Sequence, residues 1–544
     1  MERKMFIKVF GTLIFLIGNF ARIDGSHHLK WEGVAEDVLL ATRQRQKPNI
    51  IIFLADDLGY GDLACYGHPT SQTPNIDSLA QSGMKFTQFY ASPLCTPTRA
   101  SLMTGRYQTR VGAYPVVFNP DSLGGLPLSE ITIAELLEPR GYDTYMVGKW
   151  HLGVGREREF LPTKQGFHRY YGLPFSNDQC PCPVCTYPDQ PCVYADEKVD
   201  TCASDDVAPC AIFSDDDIYK QPMNPTTLTQ EYTAKARQWI SESAEKDNPF
   251  FLYYAFNHVH FPQFAVKDFT NSSRRGIFGD ALFELDAAVG DVMKAIQDAG
   301  QTENTLTFFL SDNGANLKEY TLGGSSGPLK CGKFSTYEGG MRVPFIAHWP
   351  GQIHPGPSAE LGSILDLLPT IASIAGAEVP SVPLDGYDLS GVLFNNDESP
   401  REKLFYFGPA PSREVGPLAV RFKQFKAHFF IDGPYQPAMD ARECTPLYMP
   451  EELDLPLLFD LNSDPEERRT YLIAPYFLQS TFILSLVNVM RKLQLEQRHL
   501  GQRGVEGDQE DAEEIYGRTD MGTISNTFIG PGRATLLQSG LSAR

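Results

Sequence analysis

Pro48-Asn49-Ile50-Ile51-Ile52-Phe53-Leu54-Ala55-Asp56-Asp57 is an apolar run that ends on two carboxylates. Its apolar residues do not alternate with polar ones, so the run reads as a strand buried on both faces. That is the pattern of a parallel sheet covered by helices. Three further segments share the design. Tyr142 to Val147 leads into Gly148-Lys149-Trp150-His151, Pro249 to Ala255 into Asn257-His258-Val259-His260, and Thr305 to Leu310 into Ser311-Asp312-Asn313-Gly314. In such sheets ligands bind beyond the carboxyl ends of the strands. A single Asp-Asp pair there reads equally well as a helix cap or a turn. Four polar deliveries to one edge read as a site.

Helical patterns separate the strands. Asn75 to Ser82 places Ile76, Leu79 and Ala80 on one face. Asp280 to Ala299 does the same for Leu282, Leu285, Val289, Met293 and Ile296, and Gly300 can end it. Alternating strands and helices indicate an α/β fold with a large, mostly parallel sheet sandwiched by helices. The pattern changes after about residue 375. Pro380 to Asp388 is rich in proline and turn residues, as at a domain boundary. Short strand-like runs follow at Leu404–Phe407, Leu418–Arg421 and Phe425–Phe430, and Tyr476 to Arg498 reads as a helix. The expected organisation is a catalytic domain over 47–375 and a smaller domain of antiparallel sheet plus helix over 376–500. The tail, 501–544, is polar, acidic and glycine-rich, and reads as poorly ordered.

A chain of 544 residues exceeds one ordinary core. Its formal net charge of −20 argues against nucleic acid as a partner. An anionic substrate would need a local basic pocket. Residues 1–25 read as a signal peptide: Arg3, Lys4 and Lys8 precede an apolar run from Val9 to Phe20 that is too short to span a bilayer. An uncleaved anchor is the alternative. No later stretch reads as a transmembrane anchor. On a secretory route the ten cysteines read mainly as disulfides, with zinc as the alternative for Cys180-Pro-Cys182-Pro-Val-Cys185. Setting aside Cys95 and a lone Cys65 leaves eight. The expected pairing is Cys331 with Cys444, and Cys180, Cys182, Cys185, Cys192, Cys202 and Cys210 among themselves. Asn271-Ser272-Ser273 is a glycosylation sequon, while Asn224-Pro-Thr is excluded by its proline.

Cys95-Thr-Pro-Thr-Arg-Ala-Ser-Leu-Met-Thr-Gly-Arg106 carries the chemistry. Pro97 favours the first turn of a helix, with Thr96 as a candidate cap. Cys95 then stands at a helix N-terminus, where backbone N–H groups favour negative charge. Arg99, one turn on, lies on the same face. In isolation, a partly buried cysteine before a helix is the plainer reading.

The stretch matches the sulfatase signature, Cys-x-Pro-Ser-Arg followed by Leu, Thr, Gly and Arg, with Thr98 in place of Ser. The chain resembles the formylglycine-dependent sulfatase family, and its arylsulfatases above all. The resemblance also runs through Leu54-Ala-Asp-Asp-Leu-Gly-Tyr-Gly-Asp62, Gly148-Lys-Trp-His-Leu-Gly-Val-Gly155, Phe251-Leu-Tyr-Tyr-Ala255 with His260-Phe-Pro-Gln263, and Cys331-Gly-Lys333 through Thr336-Tyr-Glu-Gly-Gly340. Leu384-Asp-Gly-Tyr-Asp-Leu389 and Lys426-Ala-His-Phe-Phe430 extend it towards the C-terminus. The cysteine-rich insert matches in outline only, and the tail does not match.

The resemblance implies an alkaline-phosphatase-like fold and sulfate-ester hydrolysis. Cys95 would be oxidised to formylglycine (3-oxoalanine) by the formylglycine-generating enzyme. Its hydrate would attack sulfur with one hydroxyl and release sulfate by deprotonation of the other. Asp56, Asp57, Asp312, Asn313 and an oxygen of modified Cys95 would hold Ca²⁺, with Mg²⁺ as the alternative, because hard oxygen ligands suit these ions. His260 would protonate the leaving oxygen and His151 would take the proton from the second hydroxyl. Lys149, Lys333 and Ser176 would contact sulfate or the hydrate, and Arg99 would steady position 95. Without the resemblance, the lysines read as surface charges, the histidines as structural, and Phe175-Ser-Asn-Asp178 as a turn. His258 rivals His260, since residues two apart in a strand point the same way.

The implied substrate is an aryl sulfate in the assay tube. In nature it is a sulfated galactolipid or a sulfated carbohydrate, met in the lysosome or outside the cell. A homo-oligomer stays open. Two other readings remain: a phosphatase or phosphodiesterase on a similar scaffold, and a non-catalytic secreted protein that binds sulfated glycans.

Overall fold

The structure is a computed structural model, which describes residues 47–114, 116–179, 210–409, 415–431, 444, 450–470 and 481–503. The signal-peptide segment, the cysteine cluster up to Cys202 and the tail beyond 503 lie outside the described residues.

Ten strands form one mixed sheet: β1 Asn49–Ala55, β2 Met84–Tyr90, β3 Asp143–Gly148, β4 Arg169–Gly172, β5 Ile212–Ser214, β6 Asp217–Lys220, β7 Phe250–Ala255, β8 Thr305–Ser311, β9 Arg342–His348 and β10 Gly356–Ser363. Their spatial order is β10-β2-β9-β8-β1-β7-β3-β4-β5-β6. The run β8-β1-β7-β3-β4 is parallel throughout. The four continuous apolar runs of the sequence are thus immediate neighbours at its centre. The mostly parallel α/β architecture expected from them is present.

Every residue of β1 is buried, and successive residues serve opposite cores. Ile50, Ile52 and Leu54 pack into one cluster with Ala100, Leu102 and Met103 of the helix Cys95–Thr104 and with Leu367, Leu368 and Ile371 of the helix Leu367–Ala375. Ile51, Phe53 and Ala55 pack into a second cluster. Its partners include Ile76 and Leu79 of the helix Pro74–Ser82, Tyr232 and Trp239 of Leu228–Lys246, and Leu282 and Leu285 of Gly276–Asp298. Helices cover both faces, which is why no polar alternation was needed.

A second sheet contains β11 Lys403–Tyr406, β12 Ala419–Phe422, β13 Phe425–Ile431 and β14 Glu451–Asp460, all antiparallel and in that order. Leu486 and Met490 of the helix Thr481–Arg503 join its core. This sheet docks onto the large one. Arg421 Nη1 donates to the Tyr90 hydroxyl at 2.6 Å, and Phe405 N donates to the Tyr107 hydroxyl at 3.0 Å. The described residues from Pro48 onward form one compact unit. Cys331 and Cys444 are joined by a disulfide across a separation of 113 residues. Cys210 is also disulfide-bonded. No described helix is long and apolar enough to cross a membrane.

Candidate active site

The parallel register sets β1, β3, β7 and β8 side by side, so their carboxyl ends meet at one edge. Leu54 is level with Ala255 and Leu310, and Ala255 with Gly148. Asp56, Lys149, Asn257 and Asp312 emerge from that edge. Close approach is obligatory here: a Cβ on Gly148, which has φ 100°, would stand 1.7 Å from Ala255 O. Only glycine lets Lys149 N donate to that carbonyl at 2.9 Å.

The helix Cys95–Thr104 points its first residue at this edge. Leu94 is its N-cap and no side chain caps it. Thr96 is therefore not the cap expected from the sequence. Its hydroxyl donates to His151 O at 2.8 Å and accepts from Phe118 N at 3.3 Å, so it fixes the backbone around His151 instead. Thr98 keeps a hydroxyl where the signature has Ser. It accepts from Ser92 N at 2.9 Å and donates to Ser92 O at 3.2 Å.

Cys95 Sγ lies 3.5 Å from Asp56 Oδ1 and 3.6 Å from Asn313 Oδ1. Arg99 Nε and Nη2 donate to Asp312 Oδ2 at 3.2 and 2.8 Å, and Nη1 donates to Lys149 O at 2.7 Å. Lys149 Nζ donates to Asp56 Oδ2 at 2.5 Å and to Ser176 Oγ at 3.1 Å. Lys333 Nζ lies 2.6 Å from Asp57 Oδ1 and 3.0 Å from His260 Nε2. Asn313 Nδ2 donates to Asp57 Oδ1 at 2.8 Å. All of these residues are buried. The structure thus brings Asp56, Asp57, Cys95, Arg99, Lys149, His151, Ser176, His260, Asp312, Asn313 and Lys333 to the same strand edge.

The two histidines after β7 part company. They sit in a turn beyond the strand, so the two-residue rule does not apply. His258 Nε2 contacts Thr229 Oγ1 at 2.9 Å and Glu284 Oε2 at 3.2 Å, on the side of the helix Gly276–Asp298. His260 faces Asp57 and Lys333. The expectation that both point the same way is corrected: only His260 belongs to the site.

Three cations and several carboxylates share this interior, and their charges set one another. Burial opposes ionisation of Asp56, but Lys149, His260 and Arg99 outweigh it and hold the carboxyl below its usual range. Burial likewise opposes the charge on Lys149, and Asp56 overcomes it. Burial, with Lys149 and Arg99 adding, pushes His151 well below the usual imidazole range. These influences favour the neutral imidazole. Its Nε2 is 3.0 Å from Phe118 O, whereas its buried Nδ1 has no hydrogen-bond partner among the described residues.

The donor set fits a hard divalent cation. Ligating atoms of Asp56, Asp57, Cys95 and His260 lie within 4.8 Å of one another. Among the described residues Asp57 Oδ2 is buried without a hydrogen-bond donor, with His260 Nε2 standing 3.5 Å away, an arrangement that is costly unless a cation meets it. Asn313 Oδ1 faces the same point. Asp312 adjoins the group with Oδ2 engaged by Arg99 and Oδ1 by Asp57 N. Oxygen-rich sets of this kind suit Ca²⁺ or Mg²⁺.

Comparison with known proteins agrees with this geometry. The sequence model of the Sulfatase family matches residues 48–377, and that of the C-terminal region of aryl-sulfatase matches residues 399–480. The chain is 49% identical to arylsulfatase A of Homo sapiens over 429 residues, 77% of this chain and 82% of that one. It is 38% identical to N-acetylgalactosamine-6-sulfatase of Mus musculus over 451 residues, 79% of this chain and 83% of that one. Among solved structures, the sulfatase PsFucS1 from Pseudoalteromonas sp. superposes with a TM-score of 0.70 at 26% identity, covering 91% of this chain and 96% of its own. The chain belongs to the sulfatase family of sulfuric ester hydrolases.

Proposed function

We propose that the protein cleaves sulfate esters with a formylglycine made from Cys95, assisted by a hard divalent cation. One observation carries this reading. Cys95 opens a helix inside a buried pocket where Asp56 and Asn313 stand within 3.6 Å of its sulfur, with Arg99, Lys149 and Lys333 alongside. The Sγ stands in for the oxygens that formylglycine would carry on the same Cβ. The hydrated aldehyde would supply a hydroxyl nucleophile for attack on sulfur.

Asp56, Asp57, Asp312 and Asn313 would hold Ca²⁺ or Mg²⁺, and the cation when bound would supply Lewis-acid polarisation of a sulfate oxygen. Lys149, Lys333 and Ser176 bind the sulfate and oppose the charge that gathers on it. They are the basic pocket an acidic protein requires. His260 hands a proton to the leaving oxygen. Neutral His151 has an open Nδ1 and takes the proton of the second hydroxyl. Arg99 holds Asp312 and the Lys149 backbone in register with position 95.

The natural substrate would be a sulfated galactolipid or a sulfated carbohydrate, and the similarity to a relative named for N-acetylgalactosamine 6-sulfate supports the carbohydrate. The signal-like N-terminus supports passage through the endoplasmic reticulum, where the formylglycine-generating enzyme would act, and delivery to the lysosome or outside the cell. Peptide mass spectrometry on protein from a eukaryotic secretory host should find formylglycine at position 95. Nitrocatechol sulfate turnover should disappear on chelation and return with Ca²⁺ or Mg²⁺. Full activity with an unmodified thiol throughout would overturn the reading.

A further inference from the structure

A histidine acts as a base only through a bare nitrogen. A neutral imidazole carries one N–H and one lone pair, and the partner of one nitrogen decides the state of the other. His151 Nε2 lies 3.0 Å from Phe118 O. A carbonyl oxygen only accepts, so this contact places the proton on Nε2 and the lone pair on Nδ1. Nδ1 is buried and has no hydrogen-bond partner among the described residues. It is the nitrogen through which His151 would take the proton of the second hydroxyl.

The backbone of Phe118 therefore sets the tautomer, and two side chains hold that backbone. Phe118 N donates to Thr96 Oγ1 at 3.3 Å. Phe118 O accepts a second bond from Gln179 Nε2 at 3.2 Å, as its two lone pairs allow. Gln179 is anchored in turn: its Nε2 also donates to Asn119 Oδ1 at 2.9 Å, and its Oε1 accepts from Ser176 N at 3.1 Å. Thr96 reaches His151 directly as well, because its hydroxyl donates to His151 O at 2.8 Å. On the other side His151 N donates to Pro174 O at 2.9 Å. His151 is thus kept in left-handed backbone at φ 59°, which a residue other than glycine retains where its surroundings impose it. Thr96, Phe118 and His151 are all buried. Thr96 directly follows Cys95 in the same helix. The base's backbone and the base's acceptor are both tied to the helix that carries the nucleophile.

We propose that Thr96 and Gln179 are positioning residues for sulfate release: acting through the Phe118 backbone, they fix His151 as the Nε2–H tautomer and keep Nδ1 bare. In that step the O–H bond of the second hydroxyl breaks and its proton passes to Nδ1. The aldehyde C=O re-forms, the bond to the sulfate oxygen breaks, and sulfate leaves with the electron pair. His151 then returns the proton to water. In the roles assigned above, attack on sulfur does not call on this nitrogen, so the two steps can be told apart. An orienting partner that sets the tautomer of a catalytic imidazole acts on rate rather than on substrate binding. The inference rests on the formylglycine reading of Cys95 and deepens it.

The test uses the full-length protein from a secretory host, with formylglycine at position 95 quantified by peptide mass spectrometry in every variant and rates normalised to it. Thr96→Val keeps the shape and removes the hydroxyl, whereas Thr96→Ser keeps the hydroxyl. With nitrocatechol sulfate, Thr96→Val should release nitrocatechol in the first turnover within about twofold of the wild-type rate, and release sulfate about tenfold more slowly or worse. kcat and KM should then fall together, and sulfate should stay covalently attached to the peptide carrying position 95 after acid quenching. Thr96→Ser should restore sulfate release to within about threefold of wild type. Gln179→Met, at a partly exposed position, should show the same pattern more weakly, and it decides the matter if the valine variant does not fold. Imidazole nitrogen NMR shifts of the resting, histidine-labelled protein, assigned with His151→Ala, should place the proton on Nε2 in the wild type and show mixed tautomers in Thr96→Val. A wild-type proton on Nδ1 would overturn the proposal. So would equal slowing of nitrocatechol and sulfate release, the mark of a general loosening of the site. Wild-type turnover with a plain thiol at position 95 would sink the formylglycine reading instead, and the tautomer would still be read from the shifts.

Discussion

Arg99 and Asp312 form a fully buried pair, with Nε and Nη2 both donating to Oδ2. It joins the helix that starts at Cys95 to the carboxyl end of β8. Together with the Arg99 Nη1 bond to Lys149 O, it fixes the Cys95 helix against the strand edge that carries Asp56, Asp57 and Asn313. Arg99→Ala would strand the Asp312 carboxylate in the interior. Breaking a buried pair by removing one partner costs about 3–5 kcal/mol. The variant should unfold at lower urea and lose turnover. Arg99→Lys keeps the charge but not the fork, and should lie between. Equal urea midpoints for the wild type and the alanine variant would contradict this role.

His260 and His258 separate catalysis from structure. His260→Ala should lower kcat on an alkyl or sugar sulfate by about 10²-fold or more, because general-acid help is felt in the transition state. The loss should shrink on nitrocatechol sulfate, whose leaving group needs less protonation. His258→Ala instead removes a buried ring from Thr229 and Glu284. It should cost about 1–3 kcal/mol of stability with little selective effect on either substrate. Steady-state kinetics on both substrates and thermal denaturation decide between them.

The contrast between these histidines marks how far the sequence could be read. The four central strands were legible because a parallel strand covered on both faces is apolar at every position. The strands towards the margins of the sheets were not: Met84–Tyr90 carries Lys85 and Gln88, Gly356–Ser363 is buried only over its last three residues, and Glu451–Asp460 exposes much of its length. Asp56, Lys149 and Asp312 were legible as strand-end groups. Lys333 and Ser176 sit in loops whose path depends on distant contacts, and only the family resemblance reached them. The part played by Thr96 was missed because its partner His151 is 55 residues away. Glu467 was missed altogether, since it donates nothing to a local pattern and meets Glu338 across 129 residues.

Cys444→Ser tests the covalent tie between the lysine loop and the segment beyond β13. The disulfide closes a separation of 113 residues, and constraint of the unfolded chain predicts a loss of about 2–5 kcal/mol. Cys331 lies two residues from Lys333, so KM for sulfate esters should rise along with the fall in melting temperature. A variant with an unchanged melting temperature would show that the bond contributes no net stability.

Glu467 gives the last expectation, an acid-dependent one. Its carboxylate accepts from Glu338 N at 2.6 Å and from His428 Nε2 at 2.7 Å, and lies 3.0 Å from Lys426 Nζ. Lys426 in turn donates to Glu338 at 3.0 Å and to Thr336 O at 2.8 Å. The group clamps the second sheet onto the chain between Lys333 and β9. Burial opposes the charge, but Lys426 and His428 prevail and lower the Glu467 value from 4.5 to about 2. A carboxyl depressed on folding stabilises fully above its unfolded value. That contribution fades as pH falls from about 4.5 towards about 2. Burial pushes His428 down as well, so its protonation below about 6.5 also favours the unfolded chain. Both signs agree: acid loosens this clamp. Glu467→Gln should cost about 3 kcal/mol or more at pH 7, where it leaves Lys426 undercompensated. The gap between wild type and variant should narrow as pH falls to 3 and close only towards about 2. Urea unfolding at pH 7, 5 and 3 measures it, and a gap that stays constant or widens towards pH 3 would mean that Glu467 is not ionised in the folded protein.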